Sequence, residues 1–597
     1  MGNLKETFFH VQYKFGNNGQ KAEIYTPVRG YGFVTEKCKR EQEQLKYPEL
    51  NAGFELPYWY QEENLSIIEC DREGCYIDGQ KVIADLEEKG GEKIQGEHRR
   101  IPLSFKIDVP KQGNYKVTVV IQAAQPIEEI LIFTGRRRLA YKGKIAAGCT
   151  LRQEMTVNVC DIIPRGKEEV YIDRSLDVTI VADKPRITEI QAEELECPTI
   201  YIAGDSTVTD QSGEYPYAPG TCYCGWGQML TAFLDGKTAV SNHAHSGLTT
   251  ETFRSEGHYE IIEKYIKKGD FFFLQFGHND QKHQHLQAQT GYKKNLIRYV
   301  QEVRQKGAFP ILVTPLARNT WKGTDGTYLD LLKEHAEVCV AVGREYGVPI
   351  LDLHKKSMKF IQGLGMERAK VYFYPNDYTH TNDYGGYRMA QFVAEEIQKV
   401  CGTDTKTYYG FLGSAICGGF GEWRPQEQIV SLKKPRLYEN IVNPCPTEEL
   451  LGDVSRLEEP ADRAAVLDMI IRTARFVPVN VYNDMYEDVG GHEWYAGAVE
   501  SAYQNGIIPE EFTEEKCLHP DKAVTLEEFL VFAMNAYRSK KEIAEEICIY
   551  DDKCHPFARP CIRTAFAAGL LPKDGSGKLN AVINRGEAVE LCRKMQL

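Results

Sequence analysis

The chain has 597 residues, is 42% hydrophobic, and carries a formal net charge of −13 with a pI near 5.7. That length can bury several cores and suits about three domains. The acidity excludes a general binder of nucleic acid or anionic membrane, since both tasks use basic surfaces. No run approaches the roughly 18 apolar residues of a membrane span.

The opening stretch, Met1-Gly-Asn-Leu-Lys-Glu-Thr-Phe-Phe-His-Val11, has no apolar core and no small-residue cleavage site of a signal peptide. The 17 cysteines are an odd number and lack metal-ligand spacing, so each is read as a small buried hydrophobe. Many free thiols without a signal peptide favour a reducing cytoplasm.

Residues 1–195 read as all-β. Arg100–Val109 and Tyr115–Gln122 alternate in polarity, and further strands are expected at Glu129–Phe133, Arg152–Val159 and Leu176–Val181. Short strands separated by Gly, Asp and Pro turns predict a β-sandwich. From Thr199 the pattern becomes β-α-β-α. Strands at 199–203, 238–241, 270–276, 309–314 and 349–353 alternate with helices at about 225–234, 249–267, 291–305, 328–346 and 385–400. This predicts a flavodoxin-like domain over 196–402, with a five-stranded parallel sheet in the order 2-1-3-4-5. Residues 403–450 read as linker and docking segment.

Residues 451–597 read as helical and repeated. Trp494–Ile507 aligns with Phe557–Leu570 at a constant offset of 63 residues, and Pro460–Met469 fits half of an earlier copy. Repeats of this kind stack and bury their faces on one another.

The chemistry gathers at the ends of the first three parallel strands. Ala203-Gly-Asp-Ser-Thr207 ends the first. Asn242-His-Ala-His-Ser-Gly247 ends the second. Gly277-His-Asn-Asp280 ends the third, and Asp377-Tyr-Thr-His380 precedes the last helix. Ester hydrolysis needs a nucleophile, a base and donors aimed at the developing oxyanion. Ser206 suits the first role and His380 the second, because imidazole changes charge near neutral pH. Asp377 stands three residues before His380, where it could hold Nδ1–H. The backbone N–H groups of Ser206 and Gly247 and the amide of Asn279 would form the oxyanion hole. His243, His245 and His278 lack metal-ligand spacing, so no metal and no cofactor is expected.

These four blocks, with Gly225-Trp-Gly227, resemble the SGNH (GDSL) hydrolases, and within them the rhamnogalacturonan acetylesterases. The resemblance spans about 196–402. It implies a carboxylic ester hydrolase that removes acetyl groups from pectic oligosaccharides through an acetyl-enzyme. Because galacturonate is anionic, Arg254, His278, Lys282 and His283 become candidate substrate contacts.

Tyr13–Gly16 and Gly30–Phe33 resemble the jelly-roll modules that accompany pectin-acting acetylesterases, so the sandwich either binds carbohydrate or packs on the esterase. The C-terminal repeats resemble S-layer homology repeats. Of the wall-gripping segment of that family, Ala461-Asp-Arg-Ala464, Thr525-Leu-Glu-Glu528 and Asn584-Arg-Gly-Glu587 keep only Arg463, Arg585 and the glutamates. The module is read as one for packing or self-association, with wall-polymer contact and a cell-wall location as the alternative. The competing functions are a non-catalytic carbohydrate- or wall-binding protein, and an esterase for acetylxylan or another acyl ester.

Overall fold

The computed structural model describes residues 8–16, 22–34, 68–90, 99–163, 169–213, 216–322, 327–375, 377–402, 408–425, 457–476, 486, 488–489, 495–513, 517–538 and 547–595. Trp494 and most of the expected linker lie outside them. The chain forms two compact units, described in turn.

The first unit opens with two antiparallel sheets. One joins β1 (His10–Lys14), β3 (Ile68–Asp71), β4 (Gly74–Ile77), β6 (Gly113–Gln122), β9 (Thr150–Val159) and β11 (Arg186–Glu194) in the order β3-β4-β11-β6-β9, with β1 also on β11. The other runs β2 (Tyr31–Phe33), β5 (Leu103–Asp108), β10 (Ser175–Val181), β7 (Ile127–Thr134) and β8 (Arg138–Ile145). The helix α1 (Gly79–Gly90) follows β4. Val117, Val119 and Ile121 of the first sheet share one apolar cluster with Phe105, Ile130, Ile132 and Val178 of the second.

Strands β1 to β4, β8 and β11 are not among the expected ones. In β11 a bulge between Ile187 and Glu189 breaks the alternation that would reveal it. In β8 the first residue is a buried arginine. One expectation is corrected: Cys70 and Cys75 are not isolated hydrophobes but form a disulfide. They face each other across the β3–β4 hairpin, a register that spacing alone does not disclose.

The second sheet of this pair is buried on both faces. Ile130 and Ile132 point into the shared cluster, while Leu131, Phe133 and Leu139 join the core of the parallel sheet. That is why β7 reads as a continuous apolar run.

The parallel sheet has the expected order. Its strands are β12 (Thr199–Gly204), β13 (Ala239–Asn242), β14 (Phe271–Gln275), β15 (Phe309–Val313) and β16 (Ile350–Leu351), arranged β13-β12-β14-β15-β16. On one face Ile200, Ile202, Phe271 and Phe273 pack with Trp226 of α2 (Trp226–Met229) and with Met389 and Val393 of α7 (Asp383–Cys401). On the other, Tyr201, Phe272 and Leu274 pack with α3 (His258–Tyr265), α4 (Lys293–Gln305) and α5 (Lys333–Tyr346). The helix α6 (Leu353–Leu364) follows β16. The single helix expected over 249–267 is broken at Gly257, whose φ of +85° no helix accommodates.

The second unit is helical: α8 (Arg463–Thr473), α9 (Ala496–Gln504), α10 (Leu526–Arg538), α11 (Arg559–Ala567) and α12 (Arg585–Lys594). Helices α9 and α11 begin and end 63 residues apart (559−496 and 567−504). Three equivalent loops bridge one another in a ring, through Asp462↔Ala523, Thr525↔Val582 and Asn584↔Pro460. Asp462, Thr525 and Asn584 each accept an N–H from the helix they precede, so one residue of each loop caps one helix.

Candidate active site

The turn after β12 is held by a buried chain of hydrogen bonds. Trp226 Nε1 donates to Gln275 Oε1 (2.7 Å), and Gln275 Nε2 donates to Thr207 Oγ1 (2.8 Å). Thr207 donates from its hydroxyl (2.7 Å) and its backbone N–H (2.9 Å) to Asp205 Oδ1. Asp205 Oδ2 faces His278 Nδ1 at 3.2 Å. Burial works against the Asp205 charge, but His278 and the Thr207 donors outweigh it and hold the carboxyl below its ordinary range. Asp205 orders the turn, and Ser206 stands out of it.

Ser206 Oγ lies 2.7 Å from His380 Nε2. The histidine segment is pinned on both sides. Tyr374 N–H donates to the His380 carbonyl (2.9 Å), Cys224 N–H donates to the Thr381 carbonyl (2.9 Å), and Asn382 caps α7 by accepting Gly385 N–H (3.1 Å). Edge-on against the imidazole, at 5.7 Å between centroids and 86°, stands Tyr223, whose face stacks on Tyr374 at 3.7 Å. Asp377 is buried.

Among the described residues, the backbone N–H groups of Ser206 and Gly247 donate to no acceptor of the protein. Gly247 has φ +85°, a conformation that favours glycine. The Asn279 amide is oriented by two partners of opposite kind: Nδ2 donates to the Leu248 carbonyl (3.0 Å), and Oδ1 accepts from Lys282 Nζ (3.1 Å). Among the described residues, the other N–H of the amide has no protein acceptor. Beside it, Asp280 Oδ1 takes two bonds from Thr250, and burial pushes the Asp280 carboxyl up to about 7. Gly227 is required for space, since a Cβ there would lie 2.6 Å from the Val208 carbonyl and 2.7 Å from Asn242 Nδ2.

Two of the four expected substrate contacts, Arg254 and His278, are engaged inside the protein, whereas Lys282 and His283 lie near Asn279 and on the surface. Arg254 pairs with Glu302 (2.6 Å) and lies over the rings of Tyr259 and Tyr299 at 4.4 and 4.7 Å, so it ties helices together. His278 is buried, with Nε2 against the Leu316 carbonyl (2.8 Å) and Nδ1 against Asp205, so it braces the serine turn. Lys282 is engaged by Asn279. His283 lies against His285, at 5.7 Å between ring centroids.

One feature escaped the sequence reading. The β7–β8 turn carries Arg136, Arg137 and Arg138, and all three reach polar groups of the parallel-sheet domain. Arg137 donates to Asp383, to the Gln211 carbonyl (2.9 Å) and to the Tyr223 carbonyl. Arg138 donates to Asp210 Oδ2 (2.9 Å) and the Val240 carbonyl (2.6 Å). Arg136 donates to the Asn242 carbonyl and lies 3.3 Å from Asp210. Three consecutive arginines after Gly135, between two strands, are the signal that was present.

Residues 202–386 match the model of the GDSL-like lipase/acylhydrolase family. The chain is 34% identical over 209 residues to the probable rhamnogalacturonan acetylesterase YesY of Bacillus subtilis, covering 34% of this chain and 93% of that one. It is 32% identical over 215 residues to the rhamnogalacturonan acetylesterase RhgT of the same organism, covering 34% and 90%. A solved structure of Bacillus subtilis YxiM aligns over 66% of this chain and 98% of that one, at 21% identity and a TM-score of 0.35. The chain belongs to the GDSL-like lipase/acylhydrolase family and is a carboxylic ester hydrolase.

Proposed function

We propose that the protein is a carbohydrate O-acetylesterase acting on acetylated pectic oligosaccharides of the rhamnogalacturonan type. The observation that carries the hydrolytic part is the 2.7 Å contact between Ser206 Oγ and His380 Nε2, beside two undirected backbone N–H groups. The names of the relatives, YesY and RhgT, support the substrate class. Ser206 Oγ attacks the acetyl carbonyl and its proton passes to His380 Nε2. Asp377 is assigned the carboxylate role that keeps the imidazole in the required tautomer. The oxyanion collects the N–H groups of Ser206 and Gly247 and the free N–H of Asn279. His380 then returns the proton to the sugar oxygen as the ester C–O bond breaks. Water, deprotonated by His380, attacks the acetyl-serine, and His380 returns that proton to Ser206 Oγ as the acyl–O bond breaks and acetate leaves.

In this reading residues 1–195 are a β-sandwich module, and 451–597 a repeat module for packing or self-association. Arg463 supports the latter role, because it is buried and spent on Glu528 and two carbonyls within its own unit.

The test is acetate release by wild type and Ser206→Ala from acetylated rhamnogalacturonan oligosaccharides, acetylated xylan oligosaccharides and p-nitrophenyl acetate. Release from the first substrate, lost by ~10⁴-fold or more in the mutant, is expected. Release from xylan alone would refute the substrate class. Activity surviving in the mutant would refute the site.

A further inference from the structure

We infer that the Gly135–Arg138 turn, contributed by an antiparallel sheet and not by the hydrolase sheet, positions the esterase site, with Arg137 as the central positioning residue. The inference rests on the assignment of Ser206 and His380.

The segments this turn holds are the ones that carry the chemistry. The Gln211 carbonyl receives Arg137 Nε at 2.9 Å, and Gln211 lies five residues past Ser206, with its own Nε2 within 3.4 Å of the Ser206 carbonyl. Asp383 opens the helix that follows His380. It binds Arg137, accepts Tyr217 Oη–H (3.0 Å) and Gly220 N–H (2.8 Å), and is fully buried. Tyr223, whose ring lies edge-on against His380, gives its carbonyl to Arg137. Arg138 and Arg136 grip the carbonyls of Val240 and Asn242, at the end of the strand that leads to Gly247. One turn therefore sets the serine, histidine and oxyanion segments relative to one another.

Charge and shape agree. Asp210 and Asp383 are buried carboxylates, and the arginines of this turn are their partners (Arg136 and Arg138 on Asp210, Arg137 on Asp383). Without those cations, two charges would remain in a medium that solvates them poorly. A guanidinium suits the task because its rigid fork serves several acceptors at once, which a lysine ammonium cannot match. Arg137 adopts φ +57°, a conformation that non-glycine residues rarely hold unless surrounding contacts enforce it. The sheet behind the turn is fixed, since Leu131, Phe133 and Leu139 are part of the hydrolase core. Gln228 closes the arrangement by donating to the Arg136 and Gln211 carbonyls, both at 2.9 Å.

The experiment compares full-length wild type, Arg137→Lys, Arg137→Met, Asp383→Asn and Ser206→Ala on p-nitrophenyl acetate. Folding is checked by near-UV circular dichroism, and kcat is normalised to serine titrated with a phosphonate probe, or to total protein for Ser206→Ala, which lacks that serine. A displacement of about 1 Å costs on the order of a hundredfold in rate. Arg137→Met is expected to lose ~10²-fold in kcat and Arg137→Lys ~10-fold, both with KM within about threefold of wild type. That split, and the partial rescue by lysine, separate positioning from general destabilisation. A folded Arg137 variant with kcat within about twofold of wild type overturns the inference. If Arg137→Met does not fold, Arg137→Lys and Asp383→Asn decide by the same criteria. If Ser206→Ala retains activity, the site assignment fails first, whatever the arginine variants do.

Discussion

Arg137 and Arg463 are both almost wholly buried, and each is bonded to a carboxylate, Asp383 in one unit and Glu528 in the other. What they hold differs. Arg463 stands at the start of α8 and stitches the Phe512 and Leu518 carbonyls, with the Phe512 ring 5.9 Å from its guanidinium, inside a core of alanine, valine, leucine and isoleucine. None of those groups belongs to the proposed site. Arg137 reaches acceptors whose neighbours in sequence are Ser206 and His380. The same buried ion pair thus serves stability alone in one region and stability plus geometry in the other. The segments that receive the hydrogen bonds make the distinction, and the pairing chemistry does not.

Three perturbations test this contrast, from the largest expected effect to the smallest. Arg463→Met leaves Glu528 buried and unpaired and should cost 3–5 kcal/mol, roughly the usual loss for breaking one partner of a buried pair. Urea denaturation followed by helical circular dichroism measures it. Ester hydrolysis under native conditions should stay at the wild-type rate, and a fall in kcat would erase the contrast.

Asn279→Ala is the mirror case. Removing one oxyanion donor should lower kcat by ~10²–10³-fold, about 3 kcal/mol of transition-state stabilisation, while the urea midpoint moves little. Steady-state kinetics on p-nitrophenyl acetate reads it. An unchanged kcat would remove the Asn279 amide from the site.

The smallest effect is a pH dependence confined to the hydrolase region. His258 is buried beside His245 and Phe253, and burial holds its imidazole down at about 3. A depressed pKa means stability that is full above the ordinary value near 6.5 and is lost as pH falls toward 3. At pH 5 the loss relative to pH 7 should be about 2 kcal/mol. His258→Phe, which cannot take the proton, should flatten that slope in urea titrations at the two pH values. His243, also buried and also held well below its ordinary value by burial, should keep part of it. The C-terminal helices are followed in the same titrations by helical circular dichroism. A steeper acid loss in the helices than in the hydrolase region would reverse the comparison.

Much of this protein is legible in its sequence because the relevant signals are local. Short apolar runs ended by Gly204 and Gly277, the first β-branched and the second phenylalanine-rich, mark strands whose ends carry Ser206 and Asn279. Alternating strands and helices restrict a five-stranded parallel sheet to few orders, and the expected 2-1-3-4-5 order is the one observed. The 63-residue offset anticipates helices α9 and α11 because each copy forms the same local element.

Other features depend on which distant segments meet. Arg254 looks like a cation free for a galacturonate until Glu302 and Tyr299, more than 40 residues away, are packed around it together with nearby Tyr259. His278 looks like a site residue until the fold brings the Leu316 carbonyl and Asp205 to its two nitrogens. The Cys70–Cys75 bond follows from hairpin register, and the arginine turn from the docking of one sheet on another. The sequence alone determined the strand order, the candidate nucleophile and base, and the repeat, because backbone preference and apolar periodicity act over a few residues. The tertiary structure alone decided which charges are spent inside the protein, because burial removes water from a charge only when remote parts of the chain close over it.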